Sequence, residues 1–390
     1  MTLHDIIHDE AMRRREFPVA ETCAFFANAG VAPLPRVAAE ALAGFGRAGS
    51  RASQENARTE AVDRQARALA AALVGAAPEE ISLIGPTSLG LNIVALGLGW
   101  QPGEEVVFYA DDYPANVYPW AALARRGVRP VGLAPEQPGV LTWEVVEAAL
   151  TERTRLVALA SCHFMSGYRI DIDAIGRRLH ERGILFCLDG IQTLGAFPVS
   201  VRHVDFLSAD AHKWLLGPIG AGIFYVKQSR QELLPPPLLG SWNVHSPDYV
   251  AQETRQYHQG GRRYETGSLN LPGIFGMAAA LELLLDFGID TIAARVLELR
   301  RYFLERVRPL GYQLYLEEWD QSAAASDAHR SAIISIRHPG RDMDTVCRKL
   351  QTGGIIVSLR RNRRGVAFLR FSPHCYNTEE ELDRAIDILR

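Results

Sequence analysis

Short apolar runs alternate with helical patterns over the first two thirds of the chain. The segments between the runs have a helical spacing of apolar positions, as in residues 171–183. Because the runs are apolar on both faces, they predict a mostly parallel sheet covered by helices on both sides. The runs are EVVFYA from residue 105, RPVGLA from 129, RLVALA from 155, ILFCLD from 184, VDFLSAD from 204 and GIFYV from 222, with a shorter strand in EEISLIG from 79.

The last third of the chain has a different pattern. Residues 231–270 are rich in Pro, Gly and polar residues and predict long irregular loops with a functional or inter-subunit role. After two helical segments, AIISIR, IIVSLR and VAFLRFSP predict strands, and residues 342–352 and 379–390 predict helices. We therefore expect an N-terminal arm associated with the small domain (1–30), a large domain (31–285) and a small α+β domain (286–390).

The composition excludes several classes of binding partner but does not identify one. The 390 residues are 47% hydrophobic and 22% charged, with a net charge of -3, so no charge excess favours nucleic acid or an anionic membrane. The cysteines at 23, 162, 187, 347 and 375 have neither disulfide-framework nor zinc-site spacing, and we expect no metal. The polar start of the chain resembles neither a signal peptide nor a membrane span, so a cytoplasmic location is expected.

The segment SADAHKWLLGPIG places Lys213 among small and apolar residues. A lone lysine in a loop most often extends its charge into solvent, but a desolvated lysine loses its proton and becomes a nucleophile toward carbonyl carbon. Polar residues also follow the ends of the predicted strands, where ligands bind to parallel sheets. We therefore hypothesise a Schiff base between Lys213 and pyridoxal phosphate.

This cofactor needs further groups, and the sequence offers candidates for each. Asp189 ends an apolar strand, where it can keep the pyridine nitrogen protonated, although a helix-capping role is equally compatible with its position. Gln192 could donate to the phenolic oxygen of the cofactor. Tyr113 could stack on its ring, and His163 could sit beside the phenolic oxygen or the imine.

A strand-turn-helix step supplies the candidate phosphate site. Thr87 and Ser88 lie where the strand in EEISLIG gives way to a helix, and a helix N-terminus attracts anions. Ordinary N-capping by Thr or Ser is the alternative explanation.

Several longer segments resemble the class V aminotransferase family. They are DGIQTLGAFPV, SADAHKWLLGPIGAGIFYV, ETGSLN and LRFSPHCYNTEEELDRAIDIL, and the resemblance extends from FFANAGVAPLP to the C-terminus. The family includes cysteine desulfurases, selenocysteine lyases, C-S lyases and isopenicillin N epimerase-like enzymes. It implies a fold-type I α/β enzyme whose large domain binds pyridoxal phosphate on a mostly parallel, mixed seven-stranded sheet, with a small α+β C-terminal domain.

The resemblance also implies roles for individual residues. Arg370 would hold the substrate carboxylate, with Asn28 as a second substrate-binding residue, and Ser268 would complete the phosphate site of a partner subunit in a homodimer with shared active sites. The catalytic set would be Lys213, Asp189 and His163, and the cofactor set Thr87, Ser88, Tyr113, Asp189, Gln192, Asp210, His212, Lys213 and Ser268.

Two departures from the family pattern bear on the reaction. VSLRRNRRGVAF has no counterpart of the nucleophilic loop cysteine of desulfurases, since Cys347 is too early and Cys375 too late, and Tyr113 replaces the usual histidine. The best-supported reaction is β-elimination with C-S cleavage of a cysteine-derived amino acid. Transamination, epimerisation, a cofactor-binding protein without turnover and a nicotinamide-dependent dehydrogenase are the alternatives. The arginines at 360, 361, 363 and 364 predict a solvated hairpin tip, or else extra charge for an acidic substrate.

Overall fold

The computed structural model describes residues 1–57 and 60–390. Within this part of the chain thirteen strands are present. In chain order they are β1 (Ala24–Phe25), β2 (Ile81–Leu83), β3 (Glu105–Tyr109), β4 (Arg129–Leu133), β5 (Thr154–Ala160), β6 (Leu185–Asp189), β7 (Phe206–Asp210), β8 (Gly222–Val226), β9 (Gln313–Leu314), β10 (Ile334–Arg337), β11 (Ile355–Ile356), β12 (Ser358–Arg361) and β13 (Ala367–Phe371).

The helices of the described residues vary from single turns to five turns. They are α1 (Leu3–His8), α2 (Glu10–Glu16), α3 (Arg36–Gly49), α4 (Gln54–Ala57), α5 (Glu60–Val74), α6 (Thr87–Gly97), α7 (Tyr118–Ala122), α8 (Trp143–Glu147), α9 (Ile172–Glu181), α10 (Leu271–Phe287), α11 (Ile289–Val307), α12 (Glu317–Asp320), α13 (Met343–Thr352) and α14 (Glu379–Leu389). Between β8 and α10 the regular structure is limited to short 3-10 turns, as the loop-like composition of that segment predicts.

The large sheet confirms the predicted mostly parallel, seven-stranded arrangement. Its strand order is β2-β8-β7-β6-β5-β3-β4, and the neighbours from β7 to β4 are all parallel. Only β8 is antiparallel to both of its neighbours, β2 and β7. The carboxyl ends of β3, β5, β6 and β7 therefore meet at one edge of the sheet, where ligands of such sheets bind.

A second, smaller sheet lies in the C-terminal part of the chain. Its four strands are antiparallel, in the order β12-β13-β10-β9. The short strand β1 pairs in parallel with β11, and Ala24 and Phe26 are buried in the same apolar cluster as Ile334 and Leu369. The N-terminal segment thus packs with the small sheet, while the boundaries after residues 30 and 285 stay predictions.

Two further properties concern the whole described chain. No single helix in residues 1–57 and 60–390 is both long and apolar enough to cross a membrane, although α10 with Ile289–Leu310, bent by 79°, meets the length and composition criteria as a pair. No group of three or more His, Cys, Asp or Glu side chains in those residues is arranged to hold a metal ion.

Candidate active site

A cavity of about 450 Å³ lies at the carboxyl edge of the large sheet, under the strands β12 and β13 of the small one. It brings together eight of the residues that the sequence singles out. They are Thr87, Ser88, Tyr113, Gln192, Asp210, His212, Lys213 and Arg370. Residues that are up to 283 positions apart in sequence therefore share one site.

Lys213 follows β7 and is only 7% exposed. Burial lowers the pKa of its amine to about 8, against the raising effect of Asp189, and the charges of Arg370 and Arg360 lower it further. A much larger fraction of this amine is therefore neutral near pH 8 than is usual for lysine. The neutral amine is the form that attacks carbonyl carbon.

Asp189 is the last residue of β6 and is 3% exposed. Burial raises the pKa of its carboxyl to about 6, while the Ile191 N–H and the charge of Lys213 favour the ionised form. Its Oδ1 accepts a hydrogen bond of 3.0 Å from that N–H, which fixes the carboxylate at the strand end. A cationic ring nitrogen placed here would pair with a buried carboxylate.

Two aromatic rings form one wall of the cavity. Lys213 Nζ lies 5.3 Å from the centroid of the Tyr113 ring, which packs edge-on against Phe164 at 5.6 Å. Tyr113 is 46% exposed even though it follows the buried strand β3. Its open face is available for stacking on a planar ligand.

The N-terminus of α6 forms another part of the cavity lining. Thr87 Oγ1 accepts a 2.8 Å hydrogen bond from the Asp210 N–H, which joins this helix end to β7. The first N–H groups of a helix have no partner within it, and the helix dipole favours an anion there. His212, whose Nδ1 lies 2.8 Å from Asp210 Oδ1, lines the same cavity as Thr87 and Ser88.

Arg370 is a buried cation with unused donors. It lies on β13 and is 1% exposed, and its Nη1 donates to the Phe164 carbonyl at 2.8 Å. Its Nε and Nη2, which share one edge of the guanidinium plane, have no partner in the described part of the chain. Burial, and then the charge of Arg360, lower the pKa of Arg370 to about 9. Such an edge suits a carboxylate bound through both oxygens.

Gln192 is held by two hydrogen bonds. Its Oε1 accepts from Trp214 Nε1 at 2.8 Å, and its Nε2 donates to the Ala29 carbonyl at 3.2 Å. One amide N–H remains free for a ligand in the cavity. The indole beside Lys213 therefore determines which end of the amide acts as a donor.

These features together fit pyridoxal phosphate. The cavity has an amine for the aldehyde and an aromatic face, and the buried carboxylate of Asp189, which is not itself part of the lining, ends β6 just before the lining residues Ile191 and Gln192. The cavity also has an anion site at a helix end and an orphaned guanidinium edge for the substrate.

The structure does not bring His163 to the cavity. Its Nδ1 accepts from the Ser166 N–H at 3.2 Å, so the ring proton is on Nε2, which lies 3.1 Å from the Asp111 carbonyl. Burial lowers the pKa of His163 to about 4, which keeps the ring neutral. Its neighbour Phe164 lines the cavity in its place.

Asn28 and Ser268 also lie away from this cavity. The Asn28 side chain is fully buried, donating to the Ser372 carbonyl at 2.9 Å and accepting from the Tyr376 hydroxyl at 3.1 Å. Ser268 lines a separate cavity of about 220 Å³, together with Gly85. A role for Ser268 in a partner's site stays a prediction.

The residue before Tyr113 was not singled out by its sequence. Asp112 is 7% exposed, and its carboxylate accepts from the Tyr113 N–H at 2.7 Å and from Asn116 Nδ2 at 3.1 Å. Asn116 Oδ1 in turn accepts from Trp120 Nε1 at 2.9 Å. This buried chain holds the loop that carries Tyr113, and only the structure shows which way the carboxylate points.

Replacing Asp112 by Asn is expected to destabilise the protein by about 1–3 kcal/mol. The new amide has only one oxygen, so its NH₂ group would face one of the two donors, the Tyr113 N–H or Asn116 Nδ2, that the carboxylate now accepts from. Urea unfolding of the cofactor-loaded protein measures the loss. Asp286→Asn, at an exposed position of α10, is the matched control, with an expected change below about 0.5 kcal/mol. Equal stability of the two variants would contradict the positioning role.

Comparisons with known proteins identify the family of this chain. The sequence profile of the family described as Aminotransferase class-V matches residues 24–385. An uncharacterized aminotransferase from Bacillus subtilis is 30% identical over 319 residues, covering 81% of this chain and 80% of the relative. A cysteine desulfurase from Dickeya dadantii is 30% identical over 346 residues, covering 85% and 81%.

A solved structure has the same fold over almost the whole length. It is the apo structure of a cysteine desulfurase from Thermococcus onnurineus, with a TM-score of 0.86 at 23% identity, and the match covers 98% of this chain and 97% of that one. Because the family profile covers nearly all of the sequence, this chain belongs to the class V aminotransferase family.

Proposed function

We propose that the protein uses pyridoxal phosphate to cleave the C-S bond of a cysteine-derived amino acid by β-elimination. The observation that carries this proposal is the free edge of Arg370, which faces the same cavity as the amine of Lys213. An amino acid can place its carboxylate on the first while its α-carbon stays near the second.

Each residue has a distinct task in this proposal. Bound pyridoxal phosphate supplies an electron sink for the bonds at the substrate α-carbon. The free amine of Lys213 removes the α-proton, and Asp189 holds positive charge on the ring nitrogen. Tyr113 orients the ring, and the N-terminus of α6 binds the phosphate.

The fate of the sulfur follows from the cysteines. None of them lines the cavity. Cys347 is on α13, and burial raises the pKa of Cys375 to about 12, so that thiol stays protonated. Sulfur is therefore released with a small product, and for cysteine itself the balance is cysteine plus water giving pyruvate, ammonia and hydrogen sulfide.

Transamination is the second candidate, and the relative described as an aminotransferase favours it. It would leave the C-S bond intact and transfer the amino group to a keto acid. Epimerisation would change only the configuration of the α-carbon, and binding without turnover would give no product.

A product assay distinguishes these reactions. The purified protein, loaded with cofactor and supplied with cysteine or its S-substituted derivatives, is expected to release pyruvate and ammonia together with an equal amount of the sulfur product, which is sulfide from cysteine and the corresponding thiol from a derivative. Formation of alanine would indicate desulfuration instead, and a keto acid that appears only with an amino acceptor would indicate transamination. Racemised substrate, or no product from any amino acid, would also contradict β-elimination.

We further propose a homodimer located in the cytoplasm. Several large apolar side chains are exposed in the single chain, among them Val31, Tyr118 and Ile219, and a second copy of the chain would cover such side chains. Ser268 would then serve the partner's phosphate site. The unpaired cysteines support a reducing compartment.

A further inference from the structure

Arg360 is directed into the cavity by the geometry of the β12–β13 hairpin. Ser358 and Arg360 alternate with Leu359 on β12, so they share one face, and both line the cavity. Ser358 is paired with Arg370 on β13, which places Arg360 and Arg370 diagonally on the same face of the hairpin. The sequence left two interpretations of this arginine open, a solvated hairpin tip or extra charge for an acidic substrate, and the structure places it in the lining of the cavity.

Arg360 differs from its neighbours because it has no acidic partner. Arg361 donates to both oxygens of Asp344, at 2.9 and 2.7 Å, and Arg363 lies 2.5 Å from Asp111 Oδ1. No carboxylate in the described part of the chain pairs with Arg360, and its Nε is buried without a hydrogen-bond partner. The Arg360 side chain as a whole is half-buried, and its unpaired Nε is a donor that a ligand bound in the cavity would satisfy.

The charges around the cavity leave Arg360 without an assigned anion. The only carboxylate in the lining is Asp210, which lies beside His212. The cofactor phosphate belongs at the N-terminus of α6, and the α-carboxylate of the substrate belongs on Arg370. Two guanidinium groups so close together repel each other, and the charge of Arg360 lowers the pKa of both Lys213 and Arg370. A second anionic group would relieve this repulsion.

We infer that the substrate carries a second acid group on its side chain and that Arg360 binds this group, which makes Arg360 the residue that selects dianionic amino acids. The inference rests on the proposed function and specifies its substrate class. Arg370 takes the acid group that all amino acids have. Arg360 takes the one that only acidic derivatives have, such as a cysteine derivative with a terminal carboxylate or sulfinate.

Matched pairs of amino acids test this selectivity by equilibrium binding. The probes are L-aspartate with L-asparagine and L-glutamate with L-glutamine, whose members have nearly the same shape and differ in charge. Their dissociation constants for the cofactor-loaded enzyme are measured from the change in cofactor absorbance and from thermal shift. We expect the wild type to bind the acidic member of at least one pair about 10- to 100-fold more tightly, as for a charge-assisted hydrogen bond.

Three variants separate the possible outcomes. Arg360→Gln is expected to abolish the preference, and Arg360→Lys to restore part of it. Arg361→Gln, which removes the same charge from the opposite face of β12, is expected to retain it. A preference that persists in Arg360→Gln would overturn the inference. Equal weakening of both members of a pair would also overturn it, because Arg360 would then bind the α-carboxylate.

The same measurements distinguish failure of the inference from failure of the proposed function. If the wild type binds both members of each pair equally well, the substrate class is wrong while amino-acid binding stands. If none of the four amino acids changes the cofactor spectrum or the melting temperature, both the proposed function and the inference are overturned.

Discussion

Replacing Lys213 by Ala is expected to reduce turnover by at least about 10²- to 10⁴-fold, the contribution of a positioned general base. The variant also loses the amine that anchors the cofactor, so gel filtration should strip pyridoxal phosphate from it. Product release in single-turnover and steady-state assays measures the first effect, and cofactor absorbance measures the second. Turnover within a few-fold of the wild type would contradict the assignment.

Because lysine is rare in this chain, the attachment of the cofactor to Lys213 can be checked against every other lysine. The sequence has only two other lysines, Lys227 and Lys349. Lys227 donates to the Arg202 carbonyl at 3.0 Å, away from the cavity. Borohydride should attach the cofactor irreversibly to the peptide that contains Lys213 and to neither other lysine, as mass spectrometry would show. Lys227→Ala should retain full activity.

The lowered pKa of Lys213 predicts a pH dependence for cofactor uptake. The neutral amine is the reactive form, and burial lowers the pKa to about 8. The rate at which the apoprotein takes up pyridoxal phosphate should therefore rise as the pH increases through about 8 and then level off. A rate that continues to rise toward the ordinary lysine pKa of about 10.4 would show that the amine is not desolvated.

Replacing Arg370 by Gln is expected to raise the KM for amino acids by about 30-fold or more, because loss of one partner from a buried charge pair costs about 2–5 kcal/mol. Cofactor retention should change little. Arg370→Lys should recover only part of the affinity, since an ammonium cannot offer two parallel donors. Steady-state kinetics measure the effect, and an unchanged KM would exclude the carboxylate-binding role.

Arg370 should also lower the stability of the substrate-free protein. Its Nε and Nη2 are buried and unsatisfied in the free site. Arg370→Met removes that penalty while it keeps much of the side-chain volume, so the cofactor-loaded variant is expected to melt at a higher temperature than the wild type. A lower melting temperature would indicate that Arg370 acts in packing rather than in binding.

Much of the site was predictable because its signals are local in sequence. Asp189 ends a strand whose apolar run is unbroken, and Lys213 lies in a segment too apolar for an ordinary lysine. The same rule for strand ends misplaced His163, because the ring is turned away by hydrogen bonds with Ser166 and with the Asp111 carbonyl. Sequence position places a residue near an edge of the sheet but does not determine where its side chain points.

The part of the site that was not predictable depends on pairing between distant segments. Arg360 lies next to arginines that are exposed, and the sequence does not distinguish it from them. The register that pairs Ser358 with Arg370 decides which face of β12 meets the cavity. A shift of one residue would exchange Arg360 for Arg361. Asn28 is the opposite case, a residue that was predicted to bind substrate but does not line the cavity. Its neighbours Ala27 and Ala29 line the cavity, while its own amide is buried against the Ser372 carbonyl.

The contact between Arg363 and the loop after β3 has a consequence for access to the cavity. Arg363 is 63% exposed and Asp111 32% exposed, and such solvent-facing ion pairs contribute only about 0–1 kcal/mol. The hairpin that carries Arg360 and Arg370 is therefore linked to the loop after β3 by a weak ion pair, together with a contact between Arg363 and the Ala110 carbonyl. Added salt screens the attraction between Arg363 and Asp111. Substrate entry and product escape should accordingly become faster, and substrate residence shorter, as ionic strength rises.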